Sequence, residues 1–123
     1  MLQEDFYTIV SMDSVDSPAK LLIALNADHE IFAGHFPGMP VVPGVCMMQI
    51  VKEIAEKITG TLLLLSRADL MKFLAVVDPT VSRTLEVEFL YKNTEEGLVD
   101  VNANFSTGTT ICFKFKGRFA PLK

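Results

Sequence analysis

The period of hydrophobic positions changes twice along the chain, dividing it into strands, one helix, and strands again. Phe6 to Val15 reads as a strand. Asp16-Ser17-Pro18 is a turn, and Lys20 to Leu25 is a second strand with Leu21, Ile23 and Leu25 on one face. From Val45 to Ile58 the period lengthens. Met47, Ile50, Val51, Ile54 and Ile58 recur at three and four spacing, and Lys52, Glu53, Glu56 and Lys57 fill the opposite arc. Gly60 is a natural stop. Strand patterns then resume. Leu62 to Phe73 is a long apolar segment, with Asp78-Pro79 as the break after it. Leu85, Val87, Phe89 and Tyr91 alternate with Glu86, Glu88 and Leu90. Val99, Val101, Ala103 and Phe105 alternate with Asp100, Asn102 and Asn104. Ile111, Phe113 and Phe115 alternate with Cys112, Lys114 and Lys116. Asn93 to Gly97 and Ser106 to Gly108 are the turns between these runs. The pattern predicts one α+β domain over residues 1–123, an antiparallel sheet whose apolar face is covered by a single helix.

Composition narrows the function classes. The 123 residues carry a formal charge of −4 and a pI near 5.1, which argues against a nucleic-acid partner. Half of the residues are apolar and mean hydropathy is +0.34, a surplus for a small chain that points to a subunit interface. The run Leu62 to Leu65 ends at Ser66 and Arg67, far short of a membrane span. Met1-Leu2-Gln3-Glu4-Asp5 turns acidic at once and does not open like a signal peptide. Cys46 and Cys112 lack metal-ligand spacing and read as reduced thiols of a cytoplasmic protein.

Asn26 to Gly44 fits neither period. Pro37, Pro40 and Pro43 interleave with Gly34, Gly38 and Gly44, a composition expected to give an irregular loop. So long a loop in so short a chain suggests function. It holds His35 just ahead of the helix, and imidazole is the usual proton-transfer group near neutral pH. Gly44 brings an unencumbered N–H to the helix start, where the first N–H groups have no intrahelical partner and the dipole favours negative charge. A base beside such a helix end suits removal of a proton next to a carbonyl.

Gly34-His35-Phe36-Pro37-Gly38, then Pro40, then Pro43-Gly44-Val45, resembles the signature of the 3-hydroxyacyl-acyl carrier protein dehydratases, which have the hotdog fold. The resemblance implies a hotdog homodimer with its site at the subunit interface and no cofactor or metal. The substrate it implies is a 3-hydroxyacyl thioester on acyl carrier protein or coenzyme A, within fatty-acid or related acyl biosynthesis. It makes His35 the base, gives the Gly44 N–H to the thioester carbonyl, and places at Val41 the backbone carbonyl that orients the histidine. The family's acidic residue lies fourteen positions after the histidine, and that position here is Gln49.

Glutamine has no proton to give at neutral pH, so the departure matters. Gln49 orients a water or the hydroxyl while His35 makes both transfers; or Glu53, one turn on, serves as the acid; or the subunit is inactive and pairs with an acidic-residue homologue. A hotdog thioesterase is the other enzymatic alternative. By its helical angle Gln49 sits on the charged arc, and Glu53 beside it is expected to be a solvated charge. His29, in a polar turn, is expected to be solvated, and Lys114, Lys116 and Arg118 form a wet strand face able to meet an acidic carrier protein.

Overall fold

The computed structural model describes residues 3–34 and 40–122. Strands β1 (Tyr7–Met12) and β2 (Ala19–Leu25) lead to a one-turn helix, α1 (Ile31–Gly34), and then to the long helix α2 (Gly44–Thr59). Strands β3 (Leu63–Phe73), β4 (Thr84–Asn93), β5 (Val99–Thr107) and β6 (Thr110–Pro121) follow. They form one six-stranded sheet in the order β1-β2-β4-β5-β6-β3, with every neighbour antiparallel. The last three strands are a meander, and β3 crosses to the far edge to pair with β6.

Alternation explains the core. Leu21 and Ile23 on β2, Leu85, Val87 and Phe89 on β4, and Val101, Ala103 and Phe105 on β5 are buried while their neighbours face outward. Phe113, Phe115 and Phe119 continue that face on β6. The apolar stripe of α2 (Cys46, Met47, Ile50, Val51, Ile54 and Ala55) joins the same core. Each buried phenylalanine is worth about 2–3 kcal/mol of apolar transfer, so this face fixes the register. Gly60 ends α2 with φ 68°, the left-handed conformation that stops a helix.

Four expectations need correction. The first strand ends at Met12 rather than Val15, because the Asp13 carboxylate accepts the Lys20 N–H at 2.8 Å and closes the turn. The loop from Asn26 contains the turn of helix α1, whose Ile31 N–H donates to His29 Nδ1 at 3.1 Å. His29 is therefore not simply solvated, and its ring also stands edge-on to Phe6 at 5.5 Å. On β6 it is Cys112 that is buried, at 1% exposure, and Ile111 that is exposed, at 41%. The register shifts between Phe105 and Ser106, so Cys112 is the extra residue of a bulge and its thiol turns inward towards the Phe105 carbonyl. The fourth correction, at Glu53, belongs to the site.

The sheet's edge at β3 is long and apolar. Leu64, Leu65, Met71 and Phe73 are exposed along it, with Leu62, Leu74 and Val76 beside its ends. Gly117 on β6 lets this strand bulge inward, since a Cβ there would lie 2.4 Å from the Arg67 carbonyl oxygen. Outward-facing Arg118 on β6 and Asp100 on β5 form a two-point ion pair at 2.7 and 3.1 Å. No helix among the described residues is long and apolar enough to cross a membrane.

Candidate active site

Gly44 is the first residue of α2, and Pro43 before it is extended (φ −63°, ψ 145°). A proline has no N–H and no side-chain oxygen, so it cannot cap the helix as Ser, Thr or Asp would. Among the described residues no side chain caps this end, and no acidic residue lies in the first turn. None of these described residues neutralises the dipole's positive end. The loop entering it is pinned by the Val42 N–H, which donates to the Val77 carbonyl at 2.8 Å. Val41, half-buried, lies just before that anchor.

A ring lies over the helix start. A Cβ on Gly44 would come within 2.7 Å of Cε1 and Cζ of Phe73, so glycine is what permits the close approach. Phe73 stacks on Phe113 with centroids 4.9 Å apart, yet remains 53% exposed. Val41, Gly44, Met47, Phe73, Leu74 and Val76 line an open groove of about 430 Å³ here. The sequence marked Gly44 and Val41 but not Phe73. The signal available was only that an aromatic residue ends the long apolar strand.

Further along α2 the chemistry changes. Glu53 is buried, at 1% exposure, which overturns its expected solvation. Helical angle placed it on the charged arc, but that arc is not all wet: the segment before β1 and the start of β1 cover this part of the helix. The Gln3 N–H donates to Glu53 Oε1 at 2.9 Å and the Tyr7 hydroxyl to the same oxygen at 3.1 Å. Gln49 Nε2 donates to Oε2 at 2.8 Å. Gln49 itself is half-buried rather than solvent-facing. Burial first, and the neighbouring Glu53 charge second, push the Tyr7 phenol far above the usual tyrosine range. Tyr7 therefore stays a hydrogen-bond donor at any working pH. It was missed because a tyrosine at a strand start reads as one more apolar residue; the usable signal was that a buried phenol requires a partner.

The structure thus brings Gln49, Glu53 and Tyr7 together and sets Gly44 with Val41 and Phe73 at the helix start. Gly34 closes α1. His35, Phe36, Pro37 and Gly38, the heart of the expected site, lie outside the described residues. Cys46 and Cys112 are both buried, and burial pushes both thiols up, so neither is an activated nucleophile.

Comparison with known proteins bears on the same segment. The model of the ApeI-like family, described as ApeI dehydratase, matches residues 11–110. The 3-hydroxyacyl-acyl-carrier-protein dehydratase FabZ of Pediococcus pentosaceus is 33% identical over 109 residues, covering 79% of this chain and 73% of that protein. FabZ of Levilactobacillus brevis is 31% identical over 110 residues, covering 80% of this chain and 74% of that one. Among solved structures, the dehydratase heterocomplex ApeI:P from Xenorhabdus doucetiae superposes with a TM-score of 0.72 at 18% identity, over 91% of this chain and 96% of that chain. The fold is the hotdog fold, as the element pattern and the loop motif anticipated. Matched across most of its length by the family model and by these relatives, the chain is a dehydratase-like protein and belongs to the ApeI-like dehydratase family.

Proposed function

We propose that this chain, as a single hotdog domain, eliminates water from 3-hydroxyacyl thioesters carried on acyl carrier protein or coenzyme A. The observation that carries the reading is the start of α2 at Pro43–Gly44, capped by no described side chain and opening beneath the apolar groove of Phe73. His35 takes the proton from C2 of the acyl chain. Negative charge develops on the thioester oxygen, where the Gly44 N–H and the helix dipole receive it. One such donor is worth about 3 kcal/mol of barrier. Val41 supplies the backbone carbonyl that orients the imidazole, and Gly34, Phe36, Pro37, Gly38 and Pro43 shape the loop that presents it. The C2–C3 double bond forms as the C3–O bond breaks. The proton leaving with the hydroxyl comes from the His35 imidazolium, because the Gln49 amide has none to give. The apolar groove suits an acyl chain.

The same reading includes assembly. A long apolar edge strand is a template for another chain, and β3 exposes Leu64, Leu65, Met71 and Phe73 along it. A second copy pairing there makes a homodimer, and sedimentation at micromolar concentration reads it directly. Gln49 favours one second reading, a catalytically impaired subunit that pairs with an active homologue. The solved neighbour from Xenorhabdus doucetiae is itself a heterocomplex. In either case the thiols are reduced, as in the cytoplasm.

The test is hydration of a crotonyl thioester, the reverse reaction, by wild type, His35→Ala and Gln49→Glu. The expected result is turnover by wild type, none by His35→Ala, and faster turnover by Gln49→Glu, which regains a protonatable group. Silence from both wild type and Gln49→Glu overturns the enzymatic reading in favour of the partner subunit.

A further inference from the structure

We infer that Glu53 is a positioning residue for Gln49: it holds the amide through Nε2 and leaves the amide oxygen to meet the substrate's 3-hydroxyl as an acceptor. This rests on the dehydratase reading of the site.

Residues 49 and 53 are four apart on α2 and share a face, and Gln49 Nε2 lies 2.8 Å from Glu53 Oε2. The other carboxylate oxygen is held from a different element. It receives the Gln3 N–H and the Tyr7 hydroxyl at 2.9 and 3.1 Å. A backbone N–H can only donate, and the phenol beside a buried carboxylate keeps its proton. Among the described residues the groups hydrogen-bonded to Glu53 are donors, the pattern that suits an ionised carboxylate. With Nε2 committed to Glu53, the amide plane is fixed and its oxygen lies on the opposite branch. That oxygen accepts the hydrogen of a substrate hydroxyl and so sets the direction of the hydroxyl's lone pairs. The bond to residue 49 also explains the amide. A carboxyl group in its place would stand about 2.8 Å from Glu53 Oε2, and two carboxyls that close share one proton.

The experiment follows side-chain carboxyl 13C resonances of Gln49→Glu, alone and combined with Glu53→Gln, across the pH range. Among the described residues, Tyr7 on β1, Glu4 before it, and Lys52, Glu56 and Lys57 on α2 are charged or titratable neighbours, and all are kept constant in both variants. Gln49→Glu is expected to show a carboxyl titrating at least about one pH unit above ordinary glutamate. The shift should collapse when Glu53→Gln is added. A shift that survives Glu53→Gln comes from burial alone and overturns the inference. In the kinetic arm, Glu53→Gln is expected to lower kcat about tenfold or more with little change in KM. Combining it with Gln49→Ala should cost no more than Gln49→Ala alone. Loss of thermal stability with kcat unchanged reduces Glu53 to a structural role and also overturns the inference. A Glu53-dependent shift in a protein without turnover supports the hold on residue 49 while removing the dehydratase reading.

Discussion

Gly44 and Glu53 stand on one helix and are surrounded in opposite ways. The first turn of α2 has no side-chain cap among the described residues, a glycine under a half-exposed ring, and apolar walls. The turns around Glu53 are closed. Gln49, Tyr7 and Gln3 all spend hydrogen bonds on a carboxylate cut off from water. The end proposed to receive the thioester oxygen keeps its polar groups unengaged by the described side chains. A cluster that must hold geometry commits them. The contrast implies that substitutions in the closed cluster cost stability along with turnover, whereas those at the open turn cost turnover with the fold intact.

The strongest way to break that contrast is Glu53→Ala. It leaves the Tyr7 hydroxyl, the Gln3 N–H and the Gln49 amide facing a void, and should destabilise by about 3 kcal/mol or more in urea unfolding. A loss under about 1 kcal/mol would mean that water already satisfies these donors. Tyr7→Phe is gentler, because the ring stays and one donor goes; about 1–2 kcal/mol is expected at neutral pH. It also carries a pH signature. The folded-state pKa of Tyr7 is raised above its unfolded value near 10, so its contribution is complete below about pH 10 and is lost as pH climbs beyond. Wild type should lose stability above about pH 10 more steeply than Tyr7→Phe.

Gly44→Ala sharpens the other half of the comparison. The atoms nearest the added methyl are Cε1, Cζ and Cδ1 of the half-exposed Phe73 ring, a side chain rather than backbone, and alanine improves helix propensity by up to about 1 kcal/mol. Thermal unfolding should therefore stay within about 2 °C of wild type. Turnover should fall about tenfold or more, as the displaced ring and the new methyl crowd the carbonyl site. Asp100→Asn, away from both regions, should do least. The Arg118 hydrogen bond holds the Asp100 carboxyl below the ordinary range, so the pair contributes above its unfolded pKa and fades as pH falls. The pair is only half-buried, so solvent screens it. A small loss at neutral pH that disappears by about pH 3 is the expected trace.

Period and motif made much of this legible. The alternation of Leu85, Val87 and Phe89, and the three-and-four spacing of Ile50, Val51 and Ile54, reflect burial on one face, and burial is what those patterns encode. The loop motif likewise pointed to the helix start at Gly44. Glu53 was misread because angle on a helical wheel reports direction, not cover. Its cover comes from Gln3 and Tyr7, some fifty residues away in the chain. Ile111 and Cys112 exchanged places because a one-residue bulge inverts every expectation on its far side, and no local signal announces it. Phe73 was invisible as a site residue since its relation to Gly44 arises only when β3 crosses to the sheet's far edge.

The elimination reading is tested most directly by following enoyl absorbance and free thiol together in one sample of the wild-type protein with a crotonyl thioester. The expected result is a fall in enoyl absorbance as water adds across the double bond, with no thiol released. Thiol release equal to the fall in absorbance, since hydrolysis of the thioester also destroys the conjugated chromophore, would contradict the dehydratase assignment and make the protein a hotdog thioesterase.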